Sequence, residues 1–185
     1  MKEISFVTSN RNKYEEMTLL GKSHGIKVKW IKYPKFEIQA NSLESIAEFS
    51  AIAAYSVFST PLIVEDSGLF IDALKGFPGP YSAQAYKTIG LEGMIKLLSG
   101  SSDRSARFEC VICYASPTGL RVFKGIMNGS IAKQISEGRK FGYDPIFVPE
   151  GRVETFSELG LHEKNRLSHR AKAFAAFAKY FLAKP

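Results

Sequence analysis

The strongest constraint on the fold is the regular alternation of strand-forming and helix-forming segments, already complete in the first 31 residues. Glu3 to Thr8 reads as a short strand that runs directly into Ser9-Asn10-Arg11-Asn12, a stretch rich in helix-capping side chains. Lys13 to Ser23 then places Tyr14, Met17 and Leu20 three apart, as one face of a helix requires, and His24-Gly25 stops it. Lys27 to Ile31 alternates lysine with Val28 and Trp30, the period of an edge or half-buried strand. Further along, Leu43, Ile46, Phe49, Ala53 and Val57 mark a helix over Leu43 to Phe58, and Pro61 opens a strand at Leu62 to Glu65. A turn is expected at Asp66-Ser67-Gly68, a rigid loop at Gly76 to Pro80 and a helix near Leu91 to Leu98. Two strands, Phe108 to Ala115 and Leu120 to Gly125, read as a hairpin through Pro117-Thr118-Gly119, and the last helix spans about Ser168 to Leu182. The chain is therefore α/β, and no linker, repeat or low-complexity segment divides residues 1–185 into separate domains.

Composition narrows the function classes. The 185 residues, 45% of them hydrophobic, suffice for one domain with a sizeable core, and no apolar run approaches the roughly 20 residues that cross a bilayer. Met1 to Phe6 is polar and acidic where a signal peptide needs a basic flank and an apolar stretch, so a soluble, cytoplasmic protein with no membrane partner is expected. The two cysteines, Cys110 and Cys113, lie three apart on a strand and face opposite ways, which argues for two buried thiols over a redox pair or half a zinc site. The net charge of +7 is uneven. Residues 1–40 carry eight basic and four acidic side chains, 41–138 carry eight and nine, and 139–185 carry nine and five. Two basic ends suit one polyanionic ligand, either a phosphate-bearing small molecule or a nucleic acid, and equally suit ordinary solvated charges.

Three regions carry residue types suited to chemistry. Ser9, Asn10 and Lys13 stand at a strand-to-helix turn, where free backbone N–H groups and the helix dipole attract phosphate, although a cap followed by a surface lysine has the same pattern. Glu65-Asp66-Ser67-Gly68 ends an apolar strand, where a carboxylate can hold magnesium or simply shape a turn. Glu65 and Asp66 face opposite ways on a strand, which makes Asp66 the better ligand, with Glu37 as a second carboxylate. Phe141-Gly142-Tyr143-Asp144-Pro145 and Lys164-Asn165-Arg166-Leu167-Ser168-His169-Arg170 bring aromatic faces and cationic donors, suited to stacking a base and donating to a ring oxygen, or to core packing and surface charge.

Five motifs in order, T-S-N-R-N-K (Thr8 to Lys13), E-D-S-G-L (Glu65 to Leu69), G-F-P-G-P-Y-S (Gly76 to Ser82), F-G-Y-D-P-I-F (Phe141 to Phe147) and E-K-N-R-L-S-H-R (Glu163 to Arg170), make the chain resemble the inosine triphosphate pyrophosphatase family from Phe6 to about Ala173. The resemblance implies an elongated mixed β-sheet with flanking helices, two lobes with the active site in the cleft between them, and a homodimer. It also implies Mg²⁺-dependent hydrolysis of ITP, dITP and XTP to the monophosphate and pyrophosphate. Carried over, Thr8, Ser9, Asn10, Arg11, Asn12 and Lys13 would hold the triphosphate. Glu37 and Asp66 would hold Mg²⁺, Asp66 would take the proton of the attacking water, and Ser67 would touch substrate. Phe141, Gly142 and Tyr143 would form the base pocket, with Asp144, Lys164, His169 and Arg170 around the polar edge of the base.

The chain departs from that pattern in two places. Ser45 to Tyr55 contains no lysine where many relatives carry one, with Lys75 and Lys87 as possible replacements, and Ala83 stands where some relatives have a cation. Two other readings compete: a basic nucleic-acid-binding module, and a nucleotide-binding protein without turnover. The presence of both Glu37 and Asp66 argues against the second, and no stable nucleic-acid partner is expected.

Overall fold

The structure, a computed structural model, describes residues 1–34, 38–138 and 141–183. The elements in chain order are β1 (Lys2–Val7), α1 (Arg11–Ser23), β2 (Ile26–Ile31), α2 (Leu43–Phe58), β3 (Leu62–Ile71), β4 (Pro78–Gly79), α3 (Ser82–Leu97), β5 (Ser105–Ser116), β6 (Gly119–Ile131), β7 (Phe147–Pro149), α4 (Phe156–Leu167) and α5 (His169–Ala183). Seven strands form one mixed sheet in the order β2-β1-β3-β5-β6-β7, with β4 paired to β3. β1 runs parallel to both β2 and β3, whereas β4 on β3 and β7 on β6 are antiparallel. The α/β expectation with a mixed sheet and flanking helices holds.

The chain packs as two compact units, each with its own core. The first comprises Met1–Asp66, Cys110–Gly125 and Arg170–Pro185, and the second Ser67–Glu109 and Ile126–His169. In the first, Phe6, Met17, Leu20, Ile63 and Ile112 pack with Phe174 and Phe177 of α5. In the second, Leu69, Met94, Phe108, Ile131, Phe147 and Phe156 form the core. On β5, residues two apart line one face, and that face serves both cores in turn: Ala106 and Phe108 enter the second, Cys110 and Ile112 the first.

Local chemistry explains most element boundaries. Asn10 caps α1 by accepting the Lys13 N–H at 3.2 Å, and Ser42 caps α2 by accepting that of Ser45 at 3.2 Å. Two helices differ from the sequence expectation. α3 begins at Ser82, well before Leu91, and α4 was not expected at all; each contains a glycine with positive φ, Gly90 (63°) and Gly160 (72°), that interrupts the apolar spacing. A capping box still marks the start of α4, with Thr155 accepting from the Glu158 N–H at 3.3 Å and Glu158 accepting from the Thr155 N–H at 2.8 Å.

Asp66-Ser67-Gly68 is not a turn. β3 continues through it to Ile71 because Leu69 and Phe70 pair with Gly79 and Pro78 of β4. A Cβ on Gly68 would lie 2.4 Å from the Gly79 carbonyl oxygen, so glycine is needed for close approach of two backbones here. Both cysteines are free and buried on β5. Burial, with the nearby Glu48 charge, pushes the Cys113 thiol up to about 12. Among the described residues no helix is long and apolar enough to cross a membrane.

Candidate active site

The first unit assembles a charged cluster around the end of β3 and the start of α1. Thr8, buried at the exit of β1, accepts the Asn10 N–H on its hydroxyl at 3.1 Å, which turns the chain toward α1. Ser9 and Asn10 are exposed, and Arg11, also exposed, donates to Glu15 one turn on at 3.0 Å, while Asn12 is half-buried. Lys13 points inward: its ammonium lies 2.8 Å from Glu65 and 4.0 Å from Asp66. Burial works against that charge, but the two carboxylates outweigh it and hold the lysine above its ordinary range.

Glu65 is the hub of this cluster. Its other oxygen accepts from Arg170 at 3.0 Å and from the Cys110 thiol at 3.3 Å, and Arg170 also donates to Glu16 on α1. Burial opposes the Arg170 charge, yet Glu65 and Glu16 raise its pKa above the ordinary value. The same burial, with Glu65 beside it, raises the Cys110 thiol. Arg170, expected at the base edge, is therefore joined to the Lys13 cluster through Glu65. Glu65 was passed over in favour of Asp66 because neighbours on a strand face opposite ways, yet Lys13 lies within 4.0 Å of both; Glu16 was missed, although its place four residues before Leu20 on the buried face of α1 was a usable signal. Asp66 is half-buried at the edge of the cluster, and Ser67 follows it on β3, also half-buried.

The second unit gathers an ion pair among aromatic rings. Lys164, buried on α4, donates to Asp144 at 2.6 Å, and its ammonium stands 4.8 Å from the Phe141 ring centre and 5.5 Å from that of Phe156. Phe141 and Gly142 are half-buried. Tyr143 turns into the core, where its hydroxyl donates to the Ser82 carbonyl at 3.0 Å and its ring meets Tyr86 edge-on. His169 is buried and stacks on Phe108 with ring centres 4.5 Å apart. His169 and Arg170 are neighbours in sequence, but successive helix positions point about 100° apart, and they serve different clusters.

Glu37 lies outside the described residues. Lys75 and Lys87 are exposed, and α2, which lacks a lysine, instead receives Lys124 from β6, paired with Glu44 at 2.9 Å. Among the described residues, no group of three or more His, Cys, Asp and Glu side chains is arranged to hold a metal ion.

The family profile of the Ham1 family matches residues 4–180, nearly the whole chain. This chain belongs to the Ham1 family. Among Ham1-family relatives, the dITP/XTP pyrophosphatases of Saccharolobus solfataricus and Ignicoccus hospitalis are 46% and 47% identical to it. These alignments cover 96% of this chain and 93% of the first relative, and 97% of this chain and 96% of the second. The Ham1 protein structure from Coxiella burnetii superposes with a TM-score of 0.85 at 30% identity, covering 98% of this chain and 99% of that one. That of Staphylococcus aureus gives 0.84 at 29% identity over the full length of both. The family resemblance read from the five motifs is borne out by the match along the chain.

Proposed function

We propose that this chain is a nucleoside triphosphate pyrophosphatase that hydrolyses deaminated purine nucleoside triphosphates, ITP, dITP and XTP, to the monophosphate and pyrophosphate, clearing them from the nucleotide pool. The observation that carries the specificity is the buried Lys164–Asp144 pair beside the Phe141 ring. Phe141 offers a face to any purine, whereas the Lys164 ammonium, which only donates, rewards a ring oxygen and has no partner in an amino group. Hypoxanthine and xanthine carry the oxygen where adenine carries the amino group, so adenine sets a donor against the ammonium and forgoes that hydrogen bond, a penalty of up to roughly 10⁴ in a site built on hydrogen bonds.

The triphosphate falls to the Thr8–Lys13 loop, where the N-terminus of α1 and the Lys13 ammonium meet the phosphate charge. Water attacks the α phosphorus, the α–β phosphoanhydride bond breaks, Asp66 takes the proton, and pyrophosphate leaves. Asp66 is half-buried at the edge of the Lys13–Glu65 cluster, 4.0 Å from the Lys13 ammonium and so beside the loop assigned to the phosphates. Mg²⁺ commonly binds through one or two carboxylates together with substrate phosphates, so Asp66, with Glu37, fits as its protein ligand set. When bound, the ion supplies charge neutralisation on the phosphates. Family resemblance supports a homodimer working in the cytoplasm.

Pyrophosphate release measured over a panel of ITP, dITP, XTP, ATP and GTP, with and without Mg²⁺, tests the reading. Release from ITP, dITP and XTP well above ATP and only with Mg²⁺ is expected. Absence of release, together with salt-sensitive binding of single-stranded nucleic acid, would replace it with the nucleic-acid-binding alternative.

A further inference from the structure

In the loop assigned to the triphosphate, Ser9, Asn10 and Arg11 are exposed. Two of its ties lead to one side chain on the neighbouring strand. Trp30 donates its indole N–H to the Thr8 carbonyl at 2.8 Å, where the chain leaves β1. Its ring also stacks on Tyr14, the residue after Lys13, with ring centres 4.6 Å apart and planes 13° from parallel. The backbone adds a third tie at the same end of β2, the Thr8 N–H donating to the Ile31 carbonyl at 3.1 Å. Trp30 pairs in register with Phe6 and continues the stripe of Ile26 and Val28, the buried residues of β2. It thus stands at the last position of β2 from which a side chain can reach both ends of the loop.

We infer that Trp30 is a positioning residue for the triphosphate: by holding Thr8 at one end of the loop and Tyr14 at the other, it sets where the α1 N-terminus and Lys13 meet the phosphates. This rests on the assignment of that loop to the triphosphate. A stacked aromatic pair and a hydrogen bond at a half-buried site are each strong enough to define a loop conformation. Misplacement of the loop weakens phosphate contacts, which carry no base information.

Trp30 is the only tryptophan in the chain, so its emission reports on this loop directly. Steady-state kinetics of Trp30→Ala and Trp30→Phe with ITP and ATP test the inference. For Trp30→Ala the expected result is a rise in KM of about tenfold, equal for both bases, with kcat per folded enzyme kept within about threefold. Trp30→Phe, which retains a stacking ring and loses only the N–H, should recover part of the KM. A purely structural role would lower the folded fraction and leave KM where it was. If Trp30→Ala does not fold, Trp30→Phe carries the test alone with a rise of about threefold. In the wild type, Mg²⁺ with inorganic pyrophosphate should change the Trp30 emission saturably, and Lys13→Ala should abolish that change. Unchanged KM in the variants, or emission indifferent to pyrophosphate in an enzyme that turns over ITP, overturns the inference. Failure of the wild type to release pyrophosphate from ITP overturns the functional assignment instead.

Discussion

The two clusters treat buried charge in different ways. In the first unit, Lys13 and Arg170 join Glu16, Glu65 and Asp66 in one connected network of opposite charges. In the second, Lys164 donates to Asp144 and its ammonium lies near the rings of Phe141 and Phe156. A network of several charges beside a strand-to-helix turn suits a ligand that is itself highly charged, as a magnesium–triphosphate is. A hydrogen-bonded pair beside an aromatic face reads the pattern of donors and acceptors on its ligand. On the proposed reading the first cluster sets binding strength and the second base choice, so substitutions in the two should have different signatures.

The largest effect should come from removing Arg170. Arg170→Ala leaves Glu16 and Glu65 buried without their shared cation, and breaking a buried pair in this way costs about 3–5 kcal/mol. Denaturant unfolding should show that loss, with Arg170→Lys recovering only part of it, because a lysine lacks the fork that serves two carboxylates at once. A loss under about 1 kcal/mol would show that the cluster is solvated and not the rigid hub described. Asp66→Asn comes next: turnover of ITP and ATP should both fall by at least about 10², and binding should suffer less than turnover. Near-normal turnover would move the proton acceptor elsewhere.

Lys13→Ala and Lys164→Met should separate the two regions most clearly. Lys13→Ala removes a charged donor to phosphate and should raise KM by roughly tenfold or more for every base, with the ITP-to-ATP ratio unchanged. Lys164→Met should lower kcat/KM for ITP far more than for ATP and so narrow that ratio. Equal behaviour of the two variants in a kcat/KM comparison would erase the division of labour.

The smallest effect is on stability at high pH. Lys13 titrates above the ordinary 10.5 in the folded protein because of Glu65 and Asp66. Its pairing is therefore fully stabilising below pH 10.5 and is lost as the pH rises through the higher folded value. Thermal unfolding followed from pH 9 upward should show a steeper alkaline decline in the wild type than in Lys13→Ala; parallel curves would mean that Lys13 is not held by those carboxylates.

Local chemistry was legible in the amino-acid sequence alone wherever neighbours in the chain decide the outcome. α2 was expected at Leu43 to Phe58 and lies there, because apolar spacing is a local property, although of the residues that marked it Leu43 and Ile46 are buried while Phe49 and Val57 are exposed. The hairpin of β5 and β6 and the opening β1–α1–β2 run follow for the same reason, and five short motifs sufficed for the family. What escaped was set by contacts between distant segments. Asp66-Ser67-Gly68 has turn chemistry, yet pairing with Pro78–Gly79 extends it as a strand, since backbone hydrogen bonding across β3 and β4 outweighs local preference. Arg170 looks like a neighbour of His169 and Lys164 in sequence, but its partners Glu16 and Glu65 lie 154 and 105 residues away. A buried guanidinium must find carboxylates wherever the fold supplies them, and no spacing rule encodes that choice. Sequence thus determined the elements and the residue types of both clusters; only the tertiary structure decided which charge meets which.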